Sequence, residues 1–176
     1  MDTVHNFLTR WLLASAMAVC MAGISLSAAS HPLLPGAQQI GQAEFTRFGF
    51  SIYQAELWAP DGRLLPDQSF LLSLTYARNI GRSQIVQASL DEMQKLGAPV
   101  ALQSQWRAEL EQILLDVRKG DTLSAKYVPG QGAEFYFQNE RTGTINEELA
   151  RYFFAIWLDE RTSEPALRQS LLGLAP

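Results

Sequence analysis

Residues 69–78 alternate in size without a break: Phe70, Leu72, Leu74, Tyr76 and Arg78 on one parity, Ser69, Leu71, Ser73, Thr75 and Ala77 on the other. Only an extended strand sends successive side chains to opposite faces, so this stretch commits the chain to a sheet. Large residues on one side and small ones on the other predict a sheet packed on one face and closely approached on the other. One strand needs neighbours, and the chain supplies them. Residues 40–47 and 48–58 read as two strands with Gly49 at a bend, and Pro60-Asp61-Gly62 is turn chemistry. In the second, Phe48, Phe50, Ile52 and Trp58 share one parity, and Tyr53, Ala55 and Leu57 the other. Residues 122–128 and 133–138 form a hairpin around Pro129-Gly130-Gln131-Gly132, with Ala133, Phe135 and Phe137 on its apolar face.

Helical spacing fills the gaps between these strands. Ser83 is a plausible N-cap, Val86, Leu90 and Met93 recur on one face, Asp91 and Lys95 pair outside, and Gly97 ends the helix. Residues 101–115 align Leu102, Trp106, Leu110 and Ile113, with Arg107 and Glu111 opposite. Residues 139–143 read as a turn into a third helix, capped by Asn146, with Glu147 and Glu148 in its first turn. Its stripe is Leu149, Tyr152, Phe153, Ile156 and Trp157; a short last helix runs from Ser163 to Gly173. The order β-β-β-α-α-β-β-α-α predicts an α+β fold, a mainly antiparallel sheet covered on one face by helices.

The chain of 176 residues is 47% hydrophobic, enough for one core. Residues 1–30 carry a different plan: Arg10 near the start, an apolar run over 11–26, then Ser27, Ala28, Ala29 and Ser30. That is the layout of an export signal, and it predicts cleavage near Ala29 or Ser30. One domain, residues 31–176, follows without a membrane anchor. Cys20 falls inside the apolar run, and Val19 before it does not suit a lipid-attachment site. A cysteine-free mature chain suits a bacterial periplasm.

Composition excludes several chemistries. Lys and Arg number 14 against 18 Asp and Glu, net charge is -4, and no run of like charge offers a phosphate track, so nucleic acid is not an expected partner. One Cys and two His argue against zinc sites, and His31 alone follows the signal, which argues against a Ser-His-Asp triad. Neither Gly-rich phosphate motif occurs, and no cofactor is expected. The adjacent acids Asp91/Glu92 and Glu147/Glu148 read as solvated faces, and Glu44 and Glu56 as strand carboxylates reaching water. No catalytic residue stands out.

The aromatic residues are the positive signal. Tyr53, Tyr76, Trp106, Tyr127 and Phe135 fall on faces that point inward. A buried Tyr hydroxyl wants a partner. On a continuing strand, Tyr76 and Arg78 project side by side, and an Arg on an apolar face calls for an anion, either a ligand or an internal carboxylate such as Glu56 or Asp91. Tyr53, Tyr76 and Arg78 are therefore the candidate ligand-binding residues.

Residues 45–60, Phe-Thr-Arg-Phe-Gly-Phe-Ser-Ile-Tyr-Gln-Ala-Glu-Leu-Trp-Ala-Pro, resemble the paired first strands of bacterial chalcone isomerase-like proteins. Leu74-Thr75-Tyr76-Ala77-Arg78-Asn79-Ile80 and Ser163-Glu164-Pro165-Ala166-Leu167 are similar to that family as well. The resemblance implies an open-faced β-sandwich, with plant relatives that either close flavanone rings or hold a fatty acid between sheet and helices. The plant catalytic set is not matched. Residues 39–44 supply no Arg, Gly49 follows Phe48 where a Thr is expected, Ile156 stands at the late Thr, and no Tyr lies near Gly97. Fold alone does not carry the activity. The readings left are a non-catalytic binder of a small apolar or amphipathic ligand such as a fatty acid, an isomerase or lyase using Tyr53, Tyr76 and Arg78 differently, and a protein-interaction module with a filled cleft.

Overall fold

The computed structural model describes residues 30–174. The expected export signal lies outside the described residues except for Ser30. Six strands follow one another across one sheet in chain order: β1 (Ala37–Arg47), β2 (Phe50–Pro60), β3 (Phe70–Tyr76), β4 (Thr122–Val128), β5 (Gly132–Phe137) and β6 (Glu140–Ile145). Every neighbouring pair is antiparallel. Between β3 and β4 the chain makes α1 (Arg82–Lys95), a short 3-10 turn and α2 (Gln103–Ile113). After β6 it makes α3 (Glu147–Leu158) and α4 (Pro165–Leu171). The expected α+β architecture is present, an open antiparallel sheet with helices over one face.

Parity sorts the two faces. Phe70, Leu72, Leu74 and Tyr76 of β3 enter the main core, and β2 meets them in register with Leu57, Ala55 and Tyr53 opposite the last three. The helices close this face with Val86, Leu90 and Met93 from α1, Trp106 and Leu110 from α2, and Phe153, Phe154 and Trp157 from α3. Two glycines let the helices come this close. A side chain on Gly41 of β1 would strike the Ser170 carbonyl of α4, and one on Gly143 of β6 would strike Ile113 of α2.

The other face has a smaller apolar cluster. Trp58 and Leu71, cross-strand partners, pack with Ala37, Leu33 and Leu34. Residues 31–36 are thus a cover pinned to the outer face. His31 accepts from the Leu33 amide at 3.2 Å through Nδ1, which leaves Nε2 to carry the proton. That nitrogen lies 3.3 Å from Ser73 Oγ, and Ser73 Oγ lies 2.8 Å from Ser124 Oγ.

Four sequence expectations change. Phe48 is not in the second strand; Phe48 and Gly49, at φ 51° and 77°, are the centre of a two-residue hairpin turn. Residues 139–143 are mostly strand, because Gln138 and Asn139, at φ 51° and 68°, make the same kind of turn and start β6. Ser83 lies inside α1 and Gly81 precedes it. The Arg82 amide is served by Asp116 at 2.7 Å, and the Gly81 amide by Gln84 at 3.2 Å. The fourth change is Arg78. β3 stops at Tyr76, whose carbonyl accepts from Gly120 at 2.7 Å, and the chain bends outward to the Ile80–Val117 bridge.

Candidate functional site

α1 is not equally bulky along its buried side. Where Val86, Leu90 and Met93 point inward, the core is full. Beside them Ser89 is small, with the exposed Ala88 at the margin, and under this part of the helix lies a cavity of about 160 Å³. Phe45, Tyr53 and Tyr76 form its floor, one from each of β1, β2 and β3. The register places them in a row across the sheet, Phe45 opposite Tyr53 and Tyr53 opposite Tyr76. Phe45 stacks on Tyr53 at 5.0 Å between ring centres, and Tyr76 meets Tyr53 edge-on at 5.8 Å. Ile85, Phe153 and Ile156 supply an apolar roof.

The two phenols are placed differently. Tyr53 Oη accepts a hydrogen bond from Trp157 Nε1 at 3.1 Å, which leaves its own proton to give. Tyr76, 4% exposed, has no hydrogen-bond partner for its hydroxyl among the described residues, and it lines the cavity. Burial pushes both phenols far above the ordinary tyrosine range, in Tyr53 against the opposing pull of the Trp157 hydrogen bond. Both therefore stay protonated in water near neutrality. They are hydrogen-bond donors to an anion or a carbonyl, and they are poor bases.

The rim is polar and comes from three elements. Arg47 ends β1, Glu92 stands on α1, and Ser163 precedes α4; all three line the cavity. Ser163 donates to Glu92 at 2.6 Å, and Lys95 donates to the other carboxylate oxygen at 2.7 Å. Burial alone would raise the Glu92 carboxyl. The hydrogen bonds from Lys95 and Ser163, with the charges of Lys95 and Arg47, outweigh it and hold the group below its ordinary value. Glu92 is thus a neutralised anion that ties α1 to the start of α4, and Arg47 is the rim cation without an ion pair among the described residues. A larger depression of about 790 Å³ lies beyond Arg47 along α1, and most of its lining residues, Gln84, Gln87, Asp91, Gln94 and Lys95 among them, are polar or charged.

Of the three sequence candidates, the structure brings Tyr53 and Tyr76 together and leaves Arg78 out. Arg78 is exposed, and its guanidinium lies 4.5 Å over the ring of Phe50 on the outside of the hairpin. Neither Glu56 nor Asp91 pairs with it: Glu56 accepts from Trp58 Nε1 at 3.2 Å, and Asp91 from Gln87 at 2.7 Å. Among the other inward aromatics, Trp106 and Phe135 are core residues. Tyr127 donates to Glu147 at 2.6 Å, a bond that pushes its phenol up to about 12. Arg47, Glu92 and Ser163 carry no local signal in sequence, since they meet only in the fold. Among the described residues, no three His, Cys, Asp or Glu side chains gather where a metal could bind.

Residues 45–173 match the model of a protein family described as chalcone isomerase-like. Among solved structures, a fatty-acid-binding protein of Arabidopsis thaliana superposes with a TM-score of 0.63 at 11% sequence identity. The match covers 82% of this chain and 95% of that one. A search of curated protein sequences returned no match. Ile156, which stands where a catalytic Thr of the plant isomerases is expected, is an apolar wall of the cavity.

Proposed function

The chain belongs to the chalcone isomerase-like family, and from that premise we propose that it is an exported, non-catalytic binder of a fatty acid or a similar amphipathic carboxylate. The observation that carries this reading is the Tyr76 hydroxyl, which a buried residue presents to an apolar cavity with no hydrogen-bond partner among the described residues. A polar group in such a place costs stability unless something fills its hydrogen bond. A ligand carboxylate does so: it accepts from Tyr76 and from the free proton of Tyr53, while Arg47 at the rim supplies the compensating charge. The fold likeness to a fatty-acid-binding protein points the same way.

Size limits how the ligand sits. A cavity of about 160 Å³ is close to one that takes a benzene ring, on the order of 150 Å³. The head and the first few carbons fit inside, and the rest of an acyl chain runs out past the rim or parts α1 from α3. Ring closure finds no support: the phenols are held as acids, and Ile156 offers no hydroxyl.

Tyr76→Phe removes one hydrogen bond to a charged group and leaves the ring. We expect palmitate affinity, measured by calorimetry, to fall tenfold or more, from a loss of about 1.5–3 kcal/mol. Unchanged affinity, or no palmitate binding by the unaltered protein, removes this function. Export is tested apart from binding. N-terminal sequencing of the protein from a soluble periplasmic fraction should begin near Ser30 or His31, and an intact Met1 in membranes argues against export.

A further inference from the structure

We propose that the β1–β2 hairpin tip docks on an anionic phospholipid bilayer and sets the cavity rim against it. The proposal goes beyond the ligand reading and rests on it only for the purpose of docking. Phe48 at the tip is 89% exposed and Phe50 beside it 55%, where most large apolar side chains among the described residues are buried. Each ring carries a guanidinium: Arg47 lies 5.5 Å from the Phe48 ring centre and Arg78 4.5 Å from that of Phe50. Arg78 is next to the end of β3, and its neighbour Asn79 accepts from the Lys119 amide at 3.0 Å. Arg82 is held to the same loop through Asp116 at 2.7 Å. Exposed Arg47, Arg78, Arg82, Arg118 and Lys119 therefore share one end of the sheet, and none forms an ion pair among the described residues.

These five cations outnumber the carboxylates of Asp116 and Asp121 that lie beside them, on a chain whose net charge is -4. An anionic surface attracts this end and repels the remainder, which fixes orientation. The shape selects a bilayer over a protein. A convex two-ring tip buries far less than the roughly 1,600 Å² of a typical specific interface. A bilayer needs no matching groove, and it accepts aromatic rings at the level of its headgroups while the guanidinium groups meet phosphate. Arg47 belongs both to the tip and to the cavity rim, so docking puts the opening where amphipathic ligands reside.

Amide hydrogen exchange on the purified full chain tests this site by site, so that residues 1–29 do not obscure the tip. With vesicles of phosphatidylcholine and phosphatidylglycerol at about 2:1, residues 47–51 and 77–80 should gain protection, and with pure phosphatidylcholine they should not. Phe48→Asn with Phe50→Thr suits the turn geometry and should abolish the protection. Arg78→Gln, Arg118→Gln and Lys119→Gln together should weaken vesicle affinity about a hundredfold, near fivefold per cation. Uptake of a fluorescent fatty acid from solution should persist in both variants, which separates loss of docking from loss of the ligand site. An unprotected tip on anionic vesicles overturns the proposal. So does protection that rises with protein concentration in the absence of lipid, which would make the tip a contact between copies of this chain.

Discussion

On the outer face of the sheet, buried polar groups satisfy one another. Ser73 bonds Ser124 and His31, His31 accepts from Leu33, and Trp58 donates to Glu56. On the inner face, under a much thicker apolar cover, Tyr76 has no such partner among the described residues, and Tyr53 keeps a proton to give. The two faces come from alternate residues of the same strands, so strand propensity does not explain the difference. The outer network closes because its cover, residues 31–36, is thin and brings its own imidazole. The inner helices bring mostly apolar side chains, and the donor Trp157 Nε1 among them reaches Tyr53 but not Tyr76. The outer network is closed by its own cover, and Tyr76 faces a cavity instead.

Core truncation should separate the faces most. Trp106, 1% exposed in the inner core, packs against Tyr152 at 5.4 Å. Trp106→Ala should lower unfolding free energy in urea by about 3–5 kcal/mol. A loss below that of Leu71→Ala on the outer face would reverse the ranking of the two covers. A smaller effect tests the polar contrast. Ser73→Ala leaves Ser124 and His31 without their shared oxygen, so stability should fall by about 1–2 kcal/mol with palmitate affinity unchanged. Tyr76→Phe should do the opposite, sparing stability and losing affinity. If both variants behaved alike, the distinction between open and closed polar groups would fail.

The smallest effect is in pH. Burial lowers the His31 pKa from 6.5, and the Glu56 charge only partly opposes it. The unfolded chain then binds the proton more readily than the folded one as pH falls below 6.5. The contribution of neutral His31 is complete above that value and is lost as pH drops through the folded pKa. Urea midpoints between about pH 5 and pH 8 should slope more steeply for the unaltered protein than for His31→Gln. Equal slopes would show that the outer cover does not depend on a neutral imidazole.

Much of this was legible in the sequence wherever one face of an element is buried. β3, the helical stripes and the β4–β5 hairpin show through because burial enforces their periods. β6 does not. In Glu-Arg-Thr-Gly-Thr-Ile only Ile145 is fully buried, as befits an edge strand, and its turn is Gln138-Asn139 with no glycine. Tyr53 and Tyr76 were readable as inward residues by parity. Parity also set Arg78 beside Tyr76, and there the inference broke, because alternation holds only while the strand continues. Arg47, Glu92 and Ser163 were out of reach, since no local pattern records a meeting of β1, α1 and the approach to α4.

The strand order also bears on how the molecule assembles. Four of the five strand pairs could zip from local connections, but β3 and β4 are separated by two helices, and their facing residues Thr75 and Thr122 are 47 positions apart. That pairing carries the largest loop-closure entropy among the strand pairs, and long-range closures of this kind slow folding. Tyr76 stands at the end of β3, Leu123 at the start of β4, and both line the cavity. The cavity therefore sits on the seam between two locally folding sheets, and it is complete only when the junction with the longest loop has formed. A chain caught before that step has two meanders and no pocket.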